Sequence, residues 1–201
     1  MAMRLNISNL FQFITYITPF LLAFTFILIG FLNGQPVKSI VYIGSVCLAT
    51  FLISLLQPTI KSEAIQGRSE LCDLWEIPFI GNSFNSPSLS TFFIAFSSIY
   101  LLLPMFMSGS MNYPIMFLLI FLLVADTVSK ITNKCTNYIG VLLGFVLAVL
   151  SGGILSSIIY STVPDIAFFS EKSSNNVTCG KPTKQNFRCS VYKNGVLVKN
   201  L

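Results

Sequence analysis

The run NYIGVLLGFVLAVLSGGILSSIIYS, from Asn137 to Ser161, decides the fold. It carries no charge and, as a helix rising about 1.5 Å per residue, it is long enough to cross a hydrocarbon core of roughly 30 Å. Small residues recur at every fourth position: Gly140, Gly144, Ala148, Gly152 and Ser156. On a helix this spacing draws one gently drifting stripe almost without side chains. In lipid such a stripe admits a second helix, because packing drives association there and hydrophobicity does not. We expect these five residues to pack other spans within the monomer; a homo-oligomer contact is the alternative.

Composition agrees with a membrane solvent. The 201 residues are 54% hydrophobic and 9% charged, against about 25% charged in an ordinary soluble domain. A soluble chain of this length has too little interior for so much apolar surface. The expected class is an all-α polytopic membrane protein with about five transmembrane helices and a short C-terminal β-hairpin tail. The chain has no histidine, which removes the commonest general base, proton shuttle and metal ligand. No nucleophile elbow or phosphate-binding glycine loop is present either. We therefore expect no enzyme, no catalytic or metal site and no cofactor.

Working outward, the bundle occupies 1–161, with spans near 10–32, 38–56, 91–107, 110–128 and 137–161. Pro19 is expected to kink the first span. Gly34 and Pro36 suit a tight reversal, and Gln57-Pro58 is expected to close the second span. Cys47 reads as a small buried hydrophobe. The surface loop 59–90 carries two basic and four acidic residues. Its part Ser62–Glu76 reads as a polar helix along the membrane surface, with Trp75 at headgroup level. The fourth run is short, so 91–128 reads as two crossings, with a re-entrant hairpin as the alternative.

Asp126 is the only acid inside any of the apolar runs. An intramembrane carboxylate is by default a functional hypothesis, here proton or cation transfer. Lys130, one turn on and on the same helical face, offers an interfacial ion pair as the simpler account.

Basic residues Arg4, Lys61, Arg68, Lys130 and Lys134 fall on one side of five crossings. The membrane-proximal rule then places the N-terminus in the cytosol and the tail 162–201 on the opposite side. That side would allow glycosylation at Asn176, in Asn176-Val177-Thr178, and a Cys179–Cys189 disulfide. Cys72 and Cys135 would then lie on the cytosolic side. The tail ends in alternating residues around Asn194-Gly195, a hairpin signal over 187–199. With six basic residues against two acidic ones, the tail suits an acidic protein surface or anionic lipid. Lys184, Arg188, Tyr192 and Lys193 are its candidate partner-binding residues. No nucleic acid partner is expected, since no groove-reading helix carries the charge.

The string from Cys179 to Gly195, CGKPTKQNFRCSVYKNG, resembles the ending of small multi-pass proteins of large icosahedral DNA viruses. These sit in the membrane beneath the capsid. The likeness covers about a tenth of the chain and includes no catalytic motif. It implies a structural virion or minor capsid protein, tying an inner membrane to its capsid shell through the tail. An accessory subunit of a cellular membrane complex, or a channel or transporter using Asp126, are the other expectations.

Overall fold

A computed structural model describes residues 7–60, 62, 67, 72, 86–169, 190–193 and 196–200, with side chains over 12–60, 62, 67, 72 and 86–169. Among these residues it contains five long helices: α1 (Ile7–Leu32), α2 (Pro36–Ile60), α3 (Leu89–Met107), α4 (Tyr113–Thr132) and α5 (Tyr138–Thr162). Each is long and apolar enough to cross a membrane. The protein is a multi-pass, all-α membrane protein.

The helix ends follow local chemistry. Asn112 caps α4 by accepting the Ile115 N–H at 3.3 Å, and Pro114 sits at the first turn, where a missing N–H is harmless. Asn137 caps α5 by accepting the Gly140 N–H at 2.7 Å. Several boundaries differ from the sequence reading. Pro58 does not close α2, which runs on to Ile60; a proline this near the end disturbs only the last turn. The loop before α3 ends at Ser88, two residues earlier than expected. The fourth helix starts at Tyr113 and continues past Val128 to Thr132, giving 20 residues. With α3 at 19 residues, both segments of 91–128 have the length of a crossing.

The bundle is organised around α3. Fourteen of its residues are buried, from Leu89 through Phe92, Phe96 and Tyr100 to Met105. The surrounding helices turn their polar side chains inward. In α4 the buried residues are Leu119, Asp126, Ser129 and Lys130, while Phe117, Leu118, Phe121 and Val124 face out. A water-soluble bundle has the reverse polarity; lipid as solvent gives this one.

The most extensive helix pairing is α3 on α5. The buried residues of α5 are Gly140, Gly144, Ala148, Gly152 and Ser156, so the stripe faces α3 in the same chain. A Cβ on Gly144 would lie 2.8 Å from the Ser88 carbonyl oxygen, and one on Gly152 would lie 3.2 Å from that of Phe96. The Ser88 N–H donates to the Gly140 carbonyl at 3.0 Å, joining the two backbones. At the far end, the Ser156 hydroxyl donates to the Tyr100 carbonyl at 3.1 Å. That carbonyl is four residues before Pro104, which has no N–H to give it. The stripe thus supplies the bond the proline removes.

A second close approach joins α1 and α2. A Cβ on Gly30 would overlap the Ser39 hydroxyl, which donates to the Phe26 carbonyl at 2.9 Å. Beyond α5, a single 3-10 turn at Pro164–Ile166 leads Phe168 back under the bundle. Its ring meets Phe26 edge-on at 5.6 Å and Tyr42 at 6.1 Å. The tail therefore contributes its first residues, through Phe169, to the helical core.

Of the rest of the tail, only Ser190–Lys193 and Val196–Asn200 are described, as short segments whose backbones pair antiparallel. Asn194, Gly195 and all side chains there lie outside the described residues. The expected hairpin over 187–199 is not part of the established fold, which is helical. Trp75 and most of the expected surface helix 62–76 also lie outside the described residues.

Candidate functional site

The polar side chains of the spans converge at the end of the bundle where α1, α3 and α5 begin and α4 ends. Asp126, six residues before the end of α4, is only 1% exposed. Ser90 donates to its Oδ1 at 3.1 Å and lies 3.3 Å from Oδ2. Thr91 donates to Oδ2 at 2.9 Å. Because the Thr91 hydrogen is used there, the Ser88 hydroxyl, 3.0 Å away, is the donor to Thr91. The first turn of α3 thus feeds a short donor chain into one carboxylate.

Lys130 is 5% exposed, and its ammonium lies 4.2 Å from the centre of the Tyr16 ring. A cation over an aromatic face is favoured, more so away from water. The opposite charges of Asp126 and Lys130 also act on each other. The two charges expected to pair therefore sit together in a buried cluster. The carboxylate is held by α3 hydroxyls and the ammonium by α1.

More polar links join α1 to α4 around this cluster. Thr15 donates to the Gln12 carbonyl at 2.7 Å, and its hydroxyl lies 3.0 Å from that of Ser129. The Gln12 amide donates to Asn133 Oδ1 at 3.0 Å. On the α2 side, Gln57 donates to the Pro87 carbonyl at 2.9 Å. Deeper in the bundle, Tyr42 donates to the Ser97 hydroxyl at 2.8 Å.

A disulfide closes this end. Cys72 and Cys135 are bridged, with Cα atoms 5.3 Å apart. The Tyr16 hydroxyl is 2.8 Å from Cys135 Sγ, and it must donate, since a bridged sulfur has no hydrogen. The sequence reading placed these two cysteines on the cytosolic side and did not pair them; the structure bridges them. The pair expected to bridge, Cys179 and Cys189, lies outside the described residues. Cys47 is unbridged and exposed on α2, not buried as expected.

Apart from the stripe of α5, which packs on α3, the sequence-predicted residues fall into two groups. Asp126 and Lys130 come together with Ser90, Thr91 and Tyr16, which sequence reading did not single out. The side chains of Lys184, Arg188, Tyr192 and Lys193, and the acceptor Asn176, are outside the described residues. The missed signal was available in part: Ser88, Ser90 and Thr91 are clustered hydroxyls opening an otherwise apolar span. Among the described residues, no three histidine, cysteine or acidic side chains gather as a metal site. Comparison with known proteins returns no match to a family model, a curated protein or a solved structure.

Proposed function

We propose that this chain is a non-enzymatic structural membrane protein, anchoring a larger assembly through its basic tail. The observation that supports this best is how the polar groups inside the bundle are used. Asp126, Ser156, Ser39, Tyr42, Thr15 and Gln57 each tie one segment to another. Such bonds lock a particular packing of helices. A rigid platform is what an anchor requires.

The tail string from Cys179 to Gly195 adds a setting. Its resemblance to small multi-pass proteins of large icosahedral DNA viruses makes a virion inner membrane the first place to look, with the capsid shell as partner. The tail's excess of basic residues, and the hairpin that Asn194-Gly195 suggests over 187–199, would serve recognition of an acidic protein surface. An accessory subunit of a cellular membrane complex would use the same architecture.

One observation favours a second reading. Asp126 is a buried carboxylate within reach of hydroxyls and a lysine, the composition of many intramembrane proton and cation sites. Flux measurements on protein reconstituted in sealed vesicles separate the two. A scaffold gives vesicles no leakier than empty ones. Ion or proton flux that is abolished by Asp126→Asn would establish transport instead.

A further inference from the structure

The Cys72–Cys135 bridge bears on which way the protein sits in its membrane. It spans 63 residues of sequence and joins the loop before α3 to the turn before α5. Tyr16 of α1 bonds to it directly. Structural disulfides persist in oxidising compartments and are rare in the reducing cytosol.

The competing indicator is the balance of basic residues, and the structure weakens it. Lys130 is not a loop charge; it is buried in α4 beneath Tyr16. Lys38 is likewise buried in the first turn of α2. The bridge side keeps Arg4, Lys61, Arg68 and Lys134. Within roughly 20 residues of a helix end, the other side has Lys172 and Lys181. Over the whole tail that side adds Lys184, Arg188, Lys193 and Lys199, making six. The membrane-proximal count thus leaves the bridge side ahead by only four to two, and the bridge is the stronger indicator of compartment.

We infer that the end carrying Cys72–Cys135 faces an oxidising compartment and that the tail faces the cytosolic side. Five crossings separate the two. This inverts the orientation drawn from charge alone. Asn176 is then beyond the reach of glycosylation, and Cys179 and Cys189 meet a reducing medium that favours thiols. The basic tail lies on the side of the anionic leaflet, which attracts such segments. None of this depends on what the tail binds, so it stands or falls separately from the scaffold reading.

The test uses the full chain, tagged after Leu201 and translated into sealed microsomes, whose outer face is cytosolic. Protease added outside should remove the tag, and Asn176 should carry no glycan. A second variant, Gly67→Asn, completes an acceptor with Arg68 and Ser69 in the bridge-side loop. Gly67 has φ +77°, and a Cβ there would meet nothing within 4 Å; asparagine accepts this conformation better than most residues. This variant should show an endoglycosidase-sensitive shift of the whole population. A tag protected from protease overturns the inference, as does a glycan on Asn176.

Discussion

Gly144 and Ser88 meet backbone to backbone: a Cβ on the glycine would lie 2.8 Å from the serine carbonyl oxygen. No flexible side chain stands between them to give way. The smallest substitution should therefore be felt. Gly144→Ala should destabilise the bundle by about 1–3 kcal/mol, the range for overpacking. Gly153→Ala is the control, since its Cβ would meet only Ile99 Cγ2, at 3.9 Å. Thermal unfolding in one detergent should show a lower midpoint for the first and little change for the second. Equal midpoints would mean that α3 and α5 do not approach this closely.

Ser156 and Pro104 make a linked pair through the Tyr100 carbonyl. Ser156→Ala removes the hydroxyl donor and should cost about 0.6 kcal/mol, and at most about 1.7, the mean and the maximum for such bonds in a membrane protein. Pro104→Ala restores a backbone N–H to the same carbonyl. It should help the Ser156→Ala protein more than the wild type. A double-mutant cycle of unfolding free energies checks this; strict additivity would show that the hydroxyl and the proline act independently.

Asp126→Ala strips Ser90 and Thr91 of their acceptor and leaves Lys130 buried with its charge uncompensated. Losing one member of a buried charged pair costs about 3–5 kcal/mol. Combining Asp126→Asn with Lys130→Gln removes both charges and keeps polar groups in place, so it should recover most of that loss. Folded yield in detergent, read by size-exclusion profile, is the measurement. A double variant as poor as Asp126→Ala would mean that the charges do not compensate each other.

Digestion without reductant should give the Cys72 peptide joined to the Cys135 peptide, with Cys47 free to alkylate. For a bridge spanning 63 residues, chain entropy alone gives an upper value of about 4 kcal/mol. Membrane-anchored helices already restrict the unfolded chain, so reduction should cost less than this. Alkylation of Cys72 and Cys135 in unreduced protein would remove the staple from the account.

Class and spans were legible because lipid makes one demand, a long uncharged helix, that composition alone reveals. The stripe from Gly140 to Ser156 was legible for a related reason: its period matches the helix, so it had to lie on one face. Its partner was not legible, because α3 presents Ser88, Phe92, Phe96 and Tyr100, a mixture of sizes with no signature of its own. The end of α4 was misplaced because Asp126 and Lys130 look like the edge of the membrane. Only packing against Ser90, Thr91 and Tyr16 lets the helix carry them further. The bridge between Cys72 and Cys135 was missed because the basic residues placed both cysteines on the cytosolic side, where disulfides are rare. A bridge over 63 residues depends on how α1, α4 and α5 assemble, which no local pattern encodes.

In the proposed function the bundle is a passive anchor and the tail makes the attachment. Cross-linking mass spectrometry on intact native membranes or particles tests it most directly. Lys181, Lys184 and Lys193 should cross-link to a structural protein present in comparable amount, and deleting residues 170–201 should release that protein while the bundle stays in the membrane. Tail lysines linked only within the chain, with partner recovery unchanged by the deletion, would contradict it.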